Sequence, residues 1–240
     1  MSVIFWMTLR QLIRVPLLWW LLVGVMVISE LAPSFAEIVA WGNPEKSILD
    51  CAQATAWAGI LMSVVLSTHM ILGKELDEKV ALSLFVKPLK TSSFLYGKYM
   101  ALLLASLIIF FIQALMVIRL GWIYHWSNQG YLYLLASLLT VFFQGMMLLS
   151  VSVLMNCWLG NVVSLWAVAI FWLICLWVPS EWGFPLAMII PLWTWFDMTE
   201  VIYKNLEIPW GTLGLLGIYA LVYSSGMLTL SEKILQRRQY

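Results

Sequence analysis

Long apolar runs alternate with short polar stretches along this chain. A hydrocarbon core about 30 Å thick takes ~20 apolar residues per helix. Six runs meet that length, at approximately 15–36, 51–72, 99–120, 132–155, 162–179 and 210–230. Ahead of them, residues 1–14 place Ile4, Phe5, Met7, Leu9, Leu12 and Ile13 among polar positions, with Arg10 and Arg14 four apart on one face. This pattern predicts a short amphipathic helix lying at the membrane surface. Residues 73–98 hold much of the chain's charge and read as helix, break, helix. Glu75, Asp77 and Glu78 suit the positive end of a helix dipole, and Leu76, Val80, Leu82, Leu84, Phe85 and Val86 follow as an apolar set. Pro88 biases Lys87 away from helical geometry, and Thr91, Ser92 or Ser93 offers a cap for the next helix. Residues 179–209 carry Trp182, Trp193, Trp195 and Phe196 in a stretch too polar and too proline-broken to span. Short re-entrant helices dipping into the outer leaflet are expected there. Their rings read equally as an aromatic belt or as an external gate over a translocation path.

Composition sets the class. The chain has 240 residues, 63% hydrophobic and 10% charged, against ~45–50% apolar in soluble domains. With a mean hydropathy of +0.93, it reads as an all-α integral membrane protein, a single transmembrane domain over 1–240. The first apolar run is expected to stay as a membrane anchor, although Ser34-Phe35-Ala36 resembles a signal-peptide cleavage site. If both termini share one side, that side holds Arg10, Arg14, Lys74, Lys79, Lys87, Lys90, Lys98, Lys233, Arg237 and Arg238, ten of the thirteen basic residues. The positive-inside rule makes it the cytoplasmic side. A net charge of +1 argues against nucleic acid as a partner.

Several residues carry candidate chemistry. Thr55, Gly59, Ser63 and Ser67 recur every four positions and make a face on which another helix can approach closely. Whether that helix belongs to this chain or to a second subunit is left open by the spacing. Gln113 and Gln144 fall deep in apolar runs and suit interhelical hydrogen bonds, or the lining of a conduit. Glu30 and Arg119 lie near helix ends, where long side chains reach water. Cys51, Cys157 and Cys175 have no metal-ligand spacing and read as apolar fillers. His69 and His125 are separated by nearly a full span and cannot share a metal. There is no Walker glycine-rich loop, HExxH or GxSxG motif, so the chain is expected to be non-catalytic. Any ATP is then bound by another chain.

The stretch Glu75 and Glu78, the apolar run Val80–Val86, Lys87-Pro88, then Phe94-Leu95-Tyr96-Gly97-Lys98 resembles the first cytoplasmic loop of ABC-2 type (type V exporter-like) ABC transporter permease subunits. The order of elements along nearly the whole chain is similar to theirs. One departure is Lys79-Val80, where many members have Gly-Thr. The resemblance implies six spans, an interfacial N-terminal helix over 1–14, a coupling helix within 73–98 and an outer gate-like segment over 179–209. It implies an ATPase-coupling interface at Glu75, Leu76, Asp77, Glu78, Leu82, Phe85, Val86 and Lys87, with Phe85 as the buried anchor. Outer-gate candidates are Trp182, Trp193, Trp195 and Phe196. No cofactor is expected in this chain; ATP and magnesium belong to a partner ATPase, itself a dimer. Further expected partners are a second permease copy or homologous permease, the lipid bilayer, and periplasmic or accessory membrane proteins. The setting is a bacterial inner membrane, and the work is export of an amphipathic or lipid-like substrate, or extracytoplasmic work. Two other classes compete: a membrane redox or cofactor-handling protein (haem or metal) using His69 or His125 without an ATPase, and a self-contained carrier.

Overall fold

The computed structural model describes residues 2–39, 44–77, 91–177, 190–191, 193–197, 201, 204 and 206–238. These residues are all-helical, with no strand among them. Helix α1 (Ser2–Ile13) ends in a tight turn, where Arg14 N–H donates to the Gln11 carbonyl at 3.0 Å, and α2 (Pro16–Val39) follows. Pro16 starts α2 at the position where a missing N–H costs nothing. The axes of Val3–Ile13 and Leu18–Ile28 differ by 63°.

Helix α3 (Pro44–Thr68) continues through a π-helical turn (His69–Gly73) into α4 (Lys74–Asp77). Helices α5 (Thr91–Ile123), α6 (Asn128–Trp158), α7 (Asn161–Trp177) and α8 (Trp210–Arg238) follow, with a 3-10 turn (Trp193–Phe196) before α8. Four stretches are long and apolar enough to cross a bilayer: Gln53–Leu76, α5, α6 and Trp210–Arg237. The bent pair α1 and α2 makes a fifth when counted as one span, and α7 is a shorter apolar helix. One local expectation changes. Thr91, Ser92 and Ser93, expected as caps, lie inside the first turn of α5. Most of the expected re-entrant segment over 179–209 lies outside the described residues, which include the 3-10 turn.

Helix α6 is the centre of the bundle and packs against α3, α5, α7 and α8. Its sequence explains why: Ser137, Thr140, Gln144, Ser150, Ser152 and Asn156 are all buried along it, and a helix with so many polar side chains is poorly suited to face lipid. Several of them bond back to the helix's own carbonyls, as do Thr140 Oγ1 to Ser137 O at 2.8 Å and Ser150 Oγ to Met147 O at 2.7 Å. Others cross to neighbours. Tyr99 of α5 and Ser224 of α8 both donate to the Met146 carbonyl, at 3.4 and 3.3 Å. Helix α8 meets the 3-10 turn through Tyr219 and Phe196, rings 6.3 Å apart, so its last turns continue toward the end of the bundle where α5 begins.

The α5–α6 hairpin shows local sequence logic. Helix α5 ends with Trp126 N–H donating to Gly121 O at 3.0 Å and His125 N–H to Trp122 O at 3.4 Å, a Schellman closure that puts His125 in the left-handed region at φ 49°. Ser127 then caps α6 by accepting from Gly130 N–H at 3.1 Å. The Trp126 and Tyr131 rings fold over Gly121, where a Cβ would sit 2.8 Å from Trp126 Cε3 and 2.9 Å from Tyr131 Cε1. Gly121→Ala is therefore expected to displace both rings and destabilise the fold by about 1–3 kcal/mol. A lowered thermal midpoint of the purified protein, with less change for Gly24→Ala, where the space is open, checks this.

Candidate functional site: a charged junction and a tryptophan-walled cavity

At one end of the bundle the π-helical turn delivers Glu75 into the protein. A π turn adds a residue to the helical repeat and so re-aims whatever follows it. Glu75 Oε2 lies 2.5 Å from Lys98 Nζ in α5, and Glu75 Oε1 accepts from Gln11 Nε2 of α1 at 3.1 Å. Lys98 is only 3% exposed, and its ammonium also sits 5.5 Å from the centroid of the Phe94 ring one turn earlier, within cation–π range. Three elements thus meet at one carboxylate.

Glu75, expected at an ATPase-coupling interface, directs both oxygens to its own chain. The cause is the burial of Lys98, whose charge needs a counter-ion close by. Leu76, expected at the same interface, is partly buried against the protein's own core. Asp77 closes α4; Glu78, Leu82, Phe85, Val86 and Lys87 lie outside the described residues. Lys98 and Gln11 were not singled out by sequence for this role. The available signal was a lysine placed next to Gly97 at the threshold of an apolar run.

The small face of α3 packs within the chain. A Cβ on Gly59 would meet Val25 Cγ2 of α2 at 2.8 Å and Gln113 Oε1 of α5 at 3.3 Å. Gln113 Nε2 donates to Thr55 Oγ1 at 3.1 Å, and Ser63 and Ser67 are buried farther along. Gln113 is therefore an interhelical tie. Arg119 and Glu30 meet each other, Nη2 to Oε2 at 2.7 Å, while both stay partly exposed, so this pair contributes little to stability.

At the opposite end, three tryptophans pack together. Trp57 of α3 stands 4.9 Å from Trp172 of α7 and 5.5 Å from Trp193 of the 3-10 turn, centroid to centroid, and Trp172 and Trp193 are 6.3 Å apart. Trp57 Nε1 donates to Gln144 Oε1 of α6 at 2.8 Å. Beside them opens a cavity of about 400 Å³, lined among others by Asp50, Gln53, Trp57, Gln144, Trp193 and Asp197. Phe196 also lines it and is fully buried; Trp195 is half-buried against Tyr219, at 6.1 Å. Of the gate candidates, Trp182 lies outside the described residues. Among the described residues, no group of three His, Cys, Asp or Glu side chains is placed to hold a metal ion. Cys157 and Cys175 are buried, and Cys51 is half-buried.

Removing one member of a buried ion pair strands the other charge. Lys98→Met and Glu75→Gln are each expected to cost about 3–5 kcal/mol, and Lys98→Met combined with Glu75→Leu to recover most of the loss. Unfolding midpoints of the purified single and double variants measure this. Additive losses in the double variant would refute a buried pair. No known family profile matches this chain and no characterised protein matches it, so the geometry of these two places is what bears on function.

Proposed function

We propose that this chain is the membrane-spanning permease subunit of an ABC-2 type ABC transporter. In this reading α2, α3, α5, α6, α7 and α8 are six spans, α1 lies in the interface, and both termini are cytoplasmic in a bacterial inner membrane. Two permease copies, or this chain and a homologous one, work with a pair of separate ATPase subunits that bind ATP and magnesium. Their cargo is an amphipathic or lipid-like molecule.

The observation that carries the proposal is the Glu75–Lys98–Gln11 junction. It stands at the root of residues 78–90, the stretch whose sequence resembles a coupling helix. The chain enters that stretch from α4 and leaves it into α5, and the ion pair ties these two flanks directly. Gln11 adds α1 to the same carboxylate. A push on residues 78–90 from a partner would therefore reach α3 and α5 together rather than being absorbed by one flank. A buried charged contact resists such relative sliding, because separating its members in a low-dielectric interior is costly. The tryptophan-walled cavity lies at the far end of α3, where a movement of that helix would be felt.

Affinity purification from membranes of the native host is expected to recover an ATP-binding chain. Phe85→Asp should abolish that recovery while the permease keeps its elution volume and helical circular dichroism. Undiminished recovery with Phe85→Asp would overturn the coupling assignment.

A further inference from the structure

Helix α1 divides into two faces. Leu12 belongs to the main apolar core with Ile4 packed against it, and Thr8 between them is buried, its hydroxyl donating to the Ile4 carbonyl at 2.8 Å. On the other side Val3, Trp6, Met7, Arg10 and Ile13 fall within about 120° at 3.6 residues per turn, and Arg14 follows in the turn to α2. The four apolar members of this stripe are between 55% and 69% exposed, and both arginines are exposed. Two contacts fix α1 in place. Gln11 Nε2 donates to Glu75 Oε1 at 3.1 Å, and Trp19 Nε1 of α2 donates to the Ile13 carbonyl at 2.9 Å. The second contact sets another exposed indole beside the last turn of α1, and Trp20 next to it is also exposed.

Neither water nor hydrocarbon suits that stripe. Four large apolar side chains grouped on three turns make a poor water-facing surface, while a guanidinium in hydrocarbon is costly without a partner. The layer where acyl chains meet lipid phosphates satisfies both. There the apolar side chains enter the chain region, and the arginines reach phosphate oxygens, which their forked N–H groups match. Charge narrows the partner. No acidic residue occurs before Glu30, and neither Arg10 nor Arg14 has an ion pair among the described residues. Lys74, next to Glu75, is a further exposed cation at this end, while Glu75 itself is committed to Lys98 and Gln11. A second copy docked by the same face about a two-fold axis would set arginines against arginines. A leaflet of anionic lipid attracts them.

We propose that the outer face of α1 is a docking surface for anionic phospholipid, with the Arg10 and Arg14 guanidiniums on headgroup phosphates and Trp6, Met7 and Ile13 among the acyl chains around them. This makes α1 a charge-selective lipid anchor, tied through Gln11 to the end of the bundle that holds the Glu75–Lys98 pair. The inference rests on the interfacial placement of α1 in the permease reading and adds the class of lipid that this helix takes.

The test places the full-length protein in phosphatidylcholine nanodiscs doped with a trace of phosphatidylglycerol or phosphatidylcholine, each carrying the same photoreactive group next to the glycerol. Mass spectrometry then maps the labelled peptides. Phosphatidylglycerol is expected to label residues 2–20 about tenfold more than phosphatidylcholine. Arg10→Gln with Arg14→Gln should bring the two probes to parity there while elution volume and helical circular dichroism stay unchanged, because both side chains are exposed. Equal labelling by the two probes in the wild-type protein would overturn the proposal with no variant involved, as would an undiminished preference in the folded double variant. An excess of inorganic phosphate is expected to leave the preference intact; its loss would mark a site for a free anion and overturn the lipid assignment. Absence of labelling at residues 2–20 by either probe would mark a face covered by protein and equally overturn it. No ATPase is needed for these measurements. A failed preference leaves the recovery of an ATP-binding chain untouched, and a failed recovery leaves the lipid face standing.

Discussion

A polar group enclosed by hydrocarbon has no water to turn to, and the bundle is arranged around that constraint. Helix α6 carries the most buried polar side chains and takes the central place. The Thr140 and Ser150 hydroxyls return to its own carbonyls one turn back, while Gln144 and the Met146 carbonyl hold α3, α5 and α8 against it. At the α6–α7 hairpin, Ser164 Oγ donates to Asn156 Oδ1 at 2.9 Å, and Asn156 Nδ2 to Ser152 O at 2.8 Å. Since lipid tails are as apolar as leucine, such ties and close packing, rather than hydrophobic exclusion, decide which helices associate.

The same constraint explains why the charged junction is informative. A buried lysine is tolerated only with a partner, and Lys98 has Glu75 as well as the Phe94 ring. Replacing such a pair by apolar residues is often neutral or stabilising, so stability alone gives little reason for it. Its placement gives one: it joins the helices on either side of residues 78–90. The tryptophan cluster at the other end has a similar imbalance. Trp57 gives its N–H to Gln144, while Trp172 and Trp193 keep buried N–H groups unpaired.

Much of the architecture was legible from hydropathy because helix is one of only two ways to satisfy a backbone inside lipid. The apolar runs near 15–36, 99–120, 132–155 and 210–230 each fall within a helix, and residues 162–177 match α7. Helix ends were less legible. Residues 69–77 continue the helix of the second run through a π turn, since hydropathy records which residues avoid water but not how many backbone atoms close each turn. The Schellman closure at His125 was equally hidden, because it uses a residue with no special freedom where glycine is usual.

The residues at the site divide along the same line. The four-residue spacing of Thr55, Gly59, Ser63 and Ser67 marked a packing face, and spacing along one helix is a local property that sequence carries completely. That Val25 and Gln113 of the same chain fill that face required the fold. Charge at 73–98 and aromatics at 179–209 were visible as composition. The inward turn of Glu75 onto Lys98 and Gln11, and the meeting of Trp57, Trp172 and Trp193 from three separate elements, were not. By itself the sequence determined that this protein is a bundle of apolar helices and where its polar exceptions lie. Tertiary structure decided which exceptions face one another, because a pairing between residues dozens to more than a hundred positions apart depends on how helices cross, and helical periodicity holds no record of that.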